Sequence, residues 1–235
     1  DDNRLRNMIH FASLEAAGLR VAAMSDKSDG DCSNRPDAQT TVARFLKSLS
    51  VPPDTLVRLR QIHGNRVVEA QSAMVGRHAA LEEADGLVSR ESGRTLGIGV
   101  ADCTPVLLYD PHHKAVALLH AGREGTLRNI AAAGVRTLCK RYRCDPAALR
   151  AAIGPCAGEC CYEVSAECAG KWRDAGLPLR GRHLRLQASN CIQLENAGLL
   201  RHNIEVVPHC TICGGLFFSY RAGEISNRNL VVMML

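Results

Sequence analysis

A mixed α/β fold is predicted by three features of this 235-residue chain. Short strand-patterned runs alternate with longer segments of helical period. Several of those runs are joined by turns too short for a crossover, which calls for antiparallel as well as parallel pairing. No repeat, linker or low-complexity tract divides the chain. The expected architecture is therefore a single layered domain over residues 1–235, built from mixed β-sheets flanked by helices. Hydrophobic residues make up 46% of the chain and aromatics only 4%, so its core must consist mainly of Leu, Val, Ile and Ala.

The first helix is expected from Pro36 to about Leu49. Pro36 suits a first helical position, Ser33 or Asn34 can cap it, and Val51-Pro52-Pro53 stops it. The polar stretch 25–34 ahead of it reads as a flexible loop. Thr55 to His63 alternates like a strand, and Gly64-Asn65 before Val67-Val68 predicts a hairpin. On that strand Val57, Leu59, Gln61 and His63 share a face. Leu96 to Val100 reads as a buried strand that Ala101-Asp102-Cys103 interrupts.

Val106 to Asp110 and Ala115 to His120 form two strands joined by residues 111–114. Pairing Asp110 with Ala115 sets Pro105 opposite His120 and places Cys103 diagonally from His120 on the same face. Such diagonal neighbours lie about 7–8 Å apart at the backbone, so two inward side chains can share one metal. A one-residue slip would destroy this arrangement. Ala121 to Gly125 is a glycine turn into a helix from Thr126 to about Tyr142. Beyond it come strands at Arg150–Ile153, Ile204–Val207, Leu216–Tyr220 and Leu230–Met234, and helices near Val164–Asp174 and Ala188–Asn196.

The net charge of +5 is mild for this length. Its denser spots, at residues 140–143 and 180–185, read as solvated surface with no nucleic-acid partner. No leader pattern and no apolar run of membrane-spanning length is evident, so a cytoplasmic protein without a membrane partner is expected. The eleven cysteines are accordingly expected to be reduced. Cys210 and Cys213 have the spacing of half a zinc ribbon or a redox pair, but no second such pair exists, and they are read as structural. Cys156, Cys160, Cys161 and Cys168 are assigned to packing, and His112 and His113 to a solvated loop.

The residues richest in chemistry are His63, Cys103 and His120. Two imidazoles and a thiolate make the ligand set of an open catalytic zinc site. They also supply the parts of a Cys/His nucleophilic enzyme.

Several short motifs bear on this choice. They are Gln61-Ile62-His63-Gly64, Ala84-Asp85-Gly86, Ala101-Asp102-Cys103-Thr104-Pro105 and His120-Ala121-Gly122. Further on stand Ile153-Gly154-Pro155-Cys156, Cys161-Tyr162-Glu163-Val164, Cys210-Thr211 and Phe218-Ser219-Tyr220-Arg221, with Arg228 near the end. In this order they resemble the YfiH family of polyphenol-oxidase-type, or laccase-domain, proteins. The resemblance implies a YfiH-like α/β fold and a zinc site formed by His63, Cys103 and His120, the residues then carrying catalysis. It implies phosphorolysis of adenosine, inosine and methylthioadenosine, and deamination of adenosine, with purine nucleoside and phosphate as partners. The family's older label implies the alternative of a copper-dependent polyphenol oxidase.

With these substrates in view, Arg60, Arg221 and Arg228 become candidates for holding phosphate, Gln61 for a hydrogen bond to substrate, and Asp102 or Glu163 for handling a proton. Two departures from the family pattern stand out. Arg123-Glu124-Gly125 occupies the place of Trp-Arg-Gly, and 28–33 is a degraded version of an N-terminal glycine-serine motif. An acidic residue where a cation is expected opposes phosphate, unless Arg123 takes over that role. A metal-binding homologue that has lost catalysis is therefore a third expectation.

Overall fold

In the computed structural model, which describes residues 8–71, 74 and 82–235, apolar alternation sorts the strands into two facing sheets. In chain order the strands are β1 (Ile9–His10), β2 (Val21–Met24), β3 (Leu56–Val57), β4 (Val67–Glu69), β5 (Gly86–Ser89), β6 (Thr95–Val100) and β7 (Thr104–Asp110). They continue with β8 (Ala115–Ala121), β9 (Arg150–Ile153), β10 (Leu179–Arg180), β11 (His183–Leu184), β12 (Ile204–Val206) and β13 (Asn229–Met234). The α-helices are α1 (Ala12–Ala16), α2 (Gln39–Ser48), α3 (Arg123–Leu127), α4 (Ile130–Tyr142), α5 (Ala166–Asp174) and α6 (Leu186–Asn196).

One sheet has the order β1-β2-β13-β6-β3 and the other β12-β9-β7-β8-β5-β4, while β10 and β11 pair separately. Both large sheets are mixed, since β3–β6, β4–β5 and β9–β12 are parallel and the remaining pairs antiparallel. Period-two alternation decides which face each residue joins. Leu107, Tyr109, Val116 and Leu118 of one sheet meet Leu96, Ile98, Val231 and Met233 of the other in a shared core. The opposite face of the six-stranded sheet, with Val106, Leu108, Ala117 and Leu119, is covered by α4 and α6 through Ile130, Val135, Leu138 and Leu194. The outer face of the five-stranded sheet packs Leu230 and Val232 against Val42, Phe45 and Leu46 of α2. Four layers result, helix, sheet, sheet and helix. No helix among the described residues is long and apolar enough to cross a membrane.

The β7–β8 register has Asp110 opposite Ala115 and Pro105 opposite His120, as the hairpin reading requires. Elsewhere local pattern is overruled. No hairpin forms at Gly64-Asn65, because β3 joins β6 in one sheet and β4 joins β5 in the other. The intervening chain crosses between sheets and wraps a buried carboxylate, described below. Leu216–Tyr220 is not a strand. The side-chain amide of Asn229 takes the place of a ladder there, accepting from Phe218 N (3.0 Å) and donating to Phe218 O (3.0 Å). The helix expected from Thr126 starts earlier and breaks at Asn129, a left-handed residue (φ 58°) whose side chain accepts from Ala132 N and caps α4. The 25–34 stretch is packed rather than loose. Ser25, Asp26, Asp29, Cys32 and Ser33 are buried, and a capping box anchored on Asp26 closes its 3₁₀ turn. All eleven cysteines are free thiols.

Candidate metal centre and cavity

The hairpin of β7 and β8 supplies two of the three centre residues. One step beyond the pair Thr104–Ala121, Cys103 faces Gly122. A Cβ on Gly122 would stand 2.7 Å from the Cys103 sulfur and 3.4 Å from the His63 ring, so the glycine leaves room for both. Its φ of −73° is ordinary, and space alone sets the requirement.

His63 arrives from the other side, and Asp85 brings it there. The fully buried Asp85 carboxylate accepts through Oδ1 from His120 Nδ1 (2.8 Å) and His63 N (2.9 Å). Through Oδ2 it accepts from Gly64 N (2.6 Å) and Ile62 N (3.3 Å). One anion thus orients the His120 ring and folds the 62–64 turn around itself, with His63 held at φ 59°. Gly125 seals the arrangement, since a Cβ there would meet Gly64 O at 3.0 Å and His120 O at 3.2 Å. The two imidazoles meet edge to face with centroids 4.9 Å apart. The donor atoms of His63, Cys103 and His120 all lie within 4.8 Å of one another. Asp85 was visible in the sequence only as part of Ala84-Asp85-Gly86, a motif that carries no hint of four converging donors.

Electrostatics fit this geometry. Burial opposes ionisation of Cys103, yet the neighbouring His120 and His63 outweigh it and pull the thiol down to about 6. Burial likewise opposes charge on His120, and the Cys103 sulfur and Asp85 carboxylate push its pKa up. A thiolate is therefore ready for a metal or an electrophile. With Nδ1 committed to Asp85, Nε2 is the His120 nitrogen that faces Cys103 and is placed to ligate a metal, the carboxylate–histidine arrangement that accompanies bound metals. Two imidazoles, a thiolate and an orienting carboxylate fit the donor set of an open zinc site.

The centre opens into a cavity of about 1070 Å³. Arg35, Arg58, Arg60, Arg123, Arg221 and Arg228 line it, together with Tyr162 and Tyr220. Three of these arginines are neutralised, Arg35 by Asp31 (2.8 Å), Arg60 by Glu83 (3.0 Å) and Arg123 by Glu124 (3.0 Å). By contrast, Arg58 donates to the carbonyls of Cys32 and Ser33, Arg221 to that of Glu163, and Arg228 to those of Ile225 and Asn227. Arg58 is buried, and its Nε has no hydrogen-bond partner. Arg221 also lies over the Tyr162 ring at 5.0 Å.

The sequence-derived candidates separate accordingly. Arg60, Arg221 and Arg228 all reach the cavity, with Arg60 already paired. Gln61 lines it too, but its amide is taken up by Gly99, donating to O (2.8 Å) and accepting from N (2.9 Å). Asp102 is a positioning residue. Its carboxylate accepts from Thr211 Oγ1 (2.6 Å) and Arg221 N (2.8 Å), and its carbonyl from Ala157 N (2.9 Å), with φ at 83°. Glu163 pairs with Arg182 and does not line the cavity. Arg58 was missed, because a buried arginine on an apolar stretch has no signature in sequence.

Residues 26–235 match the family model described as multi-copper polyphenol oxidoreductase laccase. An adenosine deaminase from an unknown prokaryotic organism is 35% identical over 201 residues, covering 79% of this chain and 75% of that protein. A purine nucleoside phosphorylase of Deinococcus radiodurans is 36% identical over 215 residues, covering 87% and 77%. Among solved structures, YlmD of Geobacillus stearothermophilus superposes with a TM-score of 0.83 at 29% identity, covering 91% of each chain. YfiH of Bacillus licheniformis gives 0.82 at 28% identity, covering 92% of each. The metal-capable centre, the layered mixed sheets and these matches lead to one conclusion: the chain belongs to the multi-copper polyphenol oxidoreductase laccase family.

Proposed function

We propose that this chain is a zinc-dependent purine nucleoside enzyme. It would cleave adenosine, inosine or methylthioadenosine with phosphate, and deaminate adenosine. One observation carries the reading, namely that His63, Cys103 and His120 converge on a cavity holding both un-neutralised arginines and tyrosine rings. Relatives named purine nucleoside phosphorylase and adenosine deaminase support it, since a nucleoside and a phosphate need those two kinds of wall.

When bound at His63, Cys103 and His120, zinc supplies Lewis-acid polarisation at the position these three ligands leave open. The protein's own groups do the rest. Asp85 holds the Nδ1 proton on His120 and fixes the ring's direction. Arg221 and Arg228, which have no carboxylate partner among the described residues, draw in and orient phosphate. The buried Arg58, held by the carbonyls of Cys32 and Ser33 and attracted by Asp31, adds positive charge to the wall. Tyr162 and Tyr220 offer flat faces to the purine. In phosphorolysis a phosphate oxygen bonds to the sugar's anomeric carbon, the carbon–nitrogen bond breaks, and the departing base takes up a proton. In deamination water adds at the amino-bearing ring carbon and ammonia leaves.

The experiment is incubation of the purified chain with adenosine, with and without phosphate, alongside metal analysis. Adenine formed with phosphate, inosine formed without it, and loss of both in Cys103→Ala are the expected results. Bound zinc with no product would leave a binding protein in place of an enzyme. Copper with turnover of phenols would replace this reading with the oxidase.

A further inference from the structure

A second set of thiols lies outside the residues that line the cavity. Cys160 and Cys161 sit on a tight turn closed by Cys161 N and Tyr162 N, both donating to Gly158 O (3.0 and 2.9 Å). Cys210 and Cys213 sit on another, closed by Gly214 N donating to Cys210 O (3.0 Å). The turns are laced together by Thr211 N donating to Cys156 O (2.9 Å) and Cys156 N donating to His209 O (3.3 Å).

Their four sulfurs all lie within 4.8 Å of one another, and those of Cys160 and Cys213 are 3.7 Å apart. A disulfide needs about 2.05 Å. Four sulfurs bound tetrahedrally to one zinc at about 2.3 Å stand about 3.8 Å apart along each edge. The Cys160–Cys213 separation matches such an edge, and the other sulfurs lie close enough to complete the tetrahedron with small shifts. Two glycines make the approach possible. A Cβ on Gly158 would lie 2.9 Å from Cys210 Cβ and 3.2 Å from Cys160 Sγ, and one on Gly214 would lie 2.5 Å from Cys210 O. Main-chain N–H groups also point at the Cys210 sulfur, from Gly158 at 3.3 Å and from Ile212 and Cys213 within the turn. Cys210 and Cys213 have the two-residue spacing of structural zinc sites. The other pair escapes sequence inspection because its two cysteines are adjacent.

From this geometry we propose that Cys160, Cys161, Cys210 and Cys213 form a closed, all-thiolate site for a structural zinc ion. Four protein sulfurs satisfy a tetrahedral ion completely and leave no position for substrate. The ion would staple two surface turns that both serve the cavity. One carries Tyr162, and the other carries Thr211, whose hydroxyl donates to Asp102 beside Cys103. The assignment is independent of which reaction the cavity performs.

The test compares zinc content in the full chain, Cys103→Ala and Cys160→Ser/Cys213→Ser, all purified under reducing conditions without chelator. The double variant is expected to lose about one zinc per chain whatever Cys103→Ala does, so the two sites stand or fall separately. Because that variant can also lose metal by unfolding, a second readout uses the Cys103→Ala background. Cobalt(II) exchanged for zinc there should give an intense sulfur-to-metal charge-transfer band, and chelation should make four further thiols reactive. Zinc content unmoved by the double change, iron in place of zinc, or a disulfide in the non-reduced mass would each overturn the assignment.

Discussion

The His63–Cys103–His120 centre and the Cys160–Cys161–Cys210–Cys213 cluster both bring their donor atoms within 4.8 Å of one another but are oppositely built. In the first, donors of two chemistries come from a sheet hairpin and a distant loop, held together by one buried carboxylate. It faces a cavity. The second takes one kind of donor from two turns, and main-chain N–H groups rather than a carboxylate orient the Cys210 sulfur at its heart. The difference teaches that the mixed-donor centre is gathered by a side-chain network and the thiol cluster by turn geometry. Changes at Asp85 should therefore reach far, and changes at single surface cysteines should stay local.

The largest expected effect is that of Asp85→Ala. Four donors lose their acceptor, and a buried charged pair is broken, at a cost of about 3–5 kcal/mol. Zinc affinity at the cavity site should fall by at least about 10–100-fold while the tetracysteine metal stays, as denaturant unfolding and metal titration would read. Equal loss from both sites would break the contrast. Acid sharpens the same point. Burial opposes charge on Asp85, but His120 and the Gly64 and His63 N–H groups hold its carboxyl below the usual 3.8. A depressed value stabilises the fold above the unfolded-state pKa, and that stability is lost as pH falls through the lower native value. Wild type should lose stability below about pH 4, and Asp85→Asn should lack that component.

Next in size is Gly122→Ala. Its methyl group would lie 2.7 Å from the Cys103 sulfur, an overpacking worth about 1–3 kcal/mol. Zinc should leave the cavity centre alone, and a variant retaining both ions would show that the hairpin can yield.

A smaller effect concerns reactivity in metal-free protein. With its thiol pulled down to about 6, Cys103 should be alkylated at pH 7 well before Cys156, which burial pushes up to about 12. Peptide mapping by mass spectrometry would show the order. The smallest effect is expected from Glu124→Arg, which removes the partner of Arg123 and adds charge to the cavity wall. The KM for phosphate should fall by about two- to fivefold, the worth of an exposed charge.

Much of the hairpin side of the centre was legible in sequence. Asp110 opposite Ala115 follows from a four-residue connection, and the period of two then carries Cys103 and His120 to one face. The path of His63 was not legible. Alternation in 55–63 is compatible with a hairpin, and nothing local records that the chain leaves one sheet for the other. The same limit hid the four clustered cysteines, because their two turns lie some fifty residues apart in sequence and meet only in the folded chain, through Cys156, Gly158 and the sulfurs themselves. Gln61 and Asp102 are chemically able side chains in sequence, but the fold commits Gln61 to the Gly99 main chain and Asp102 to the Thr211 hydroxyl and Arg221 N.

Taken alone, the sequence determined the period-two strands, the helical faces, the β7–β8 register and the family to which the motifs belong. These depend on neighbours close along the chain or on ordered short patterns. Only the tertiary structure decided which arginines keep an un-neutralised charge in the cavity, how Asp85 gathers His63 and His120, and that four scattered cysteines share one place. Each of those outcomes turns on burial and on partners distant in sequence. A buried carboxylate must find donors wherever the fold brings them, and no local pattern specifies where that will be.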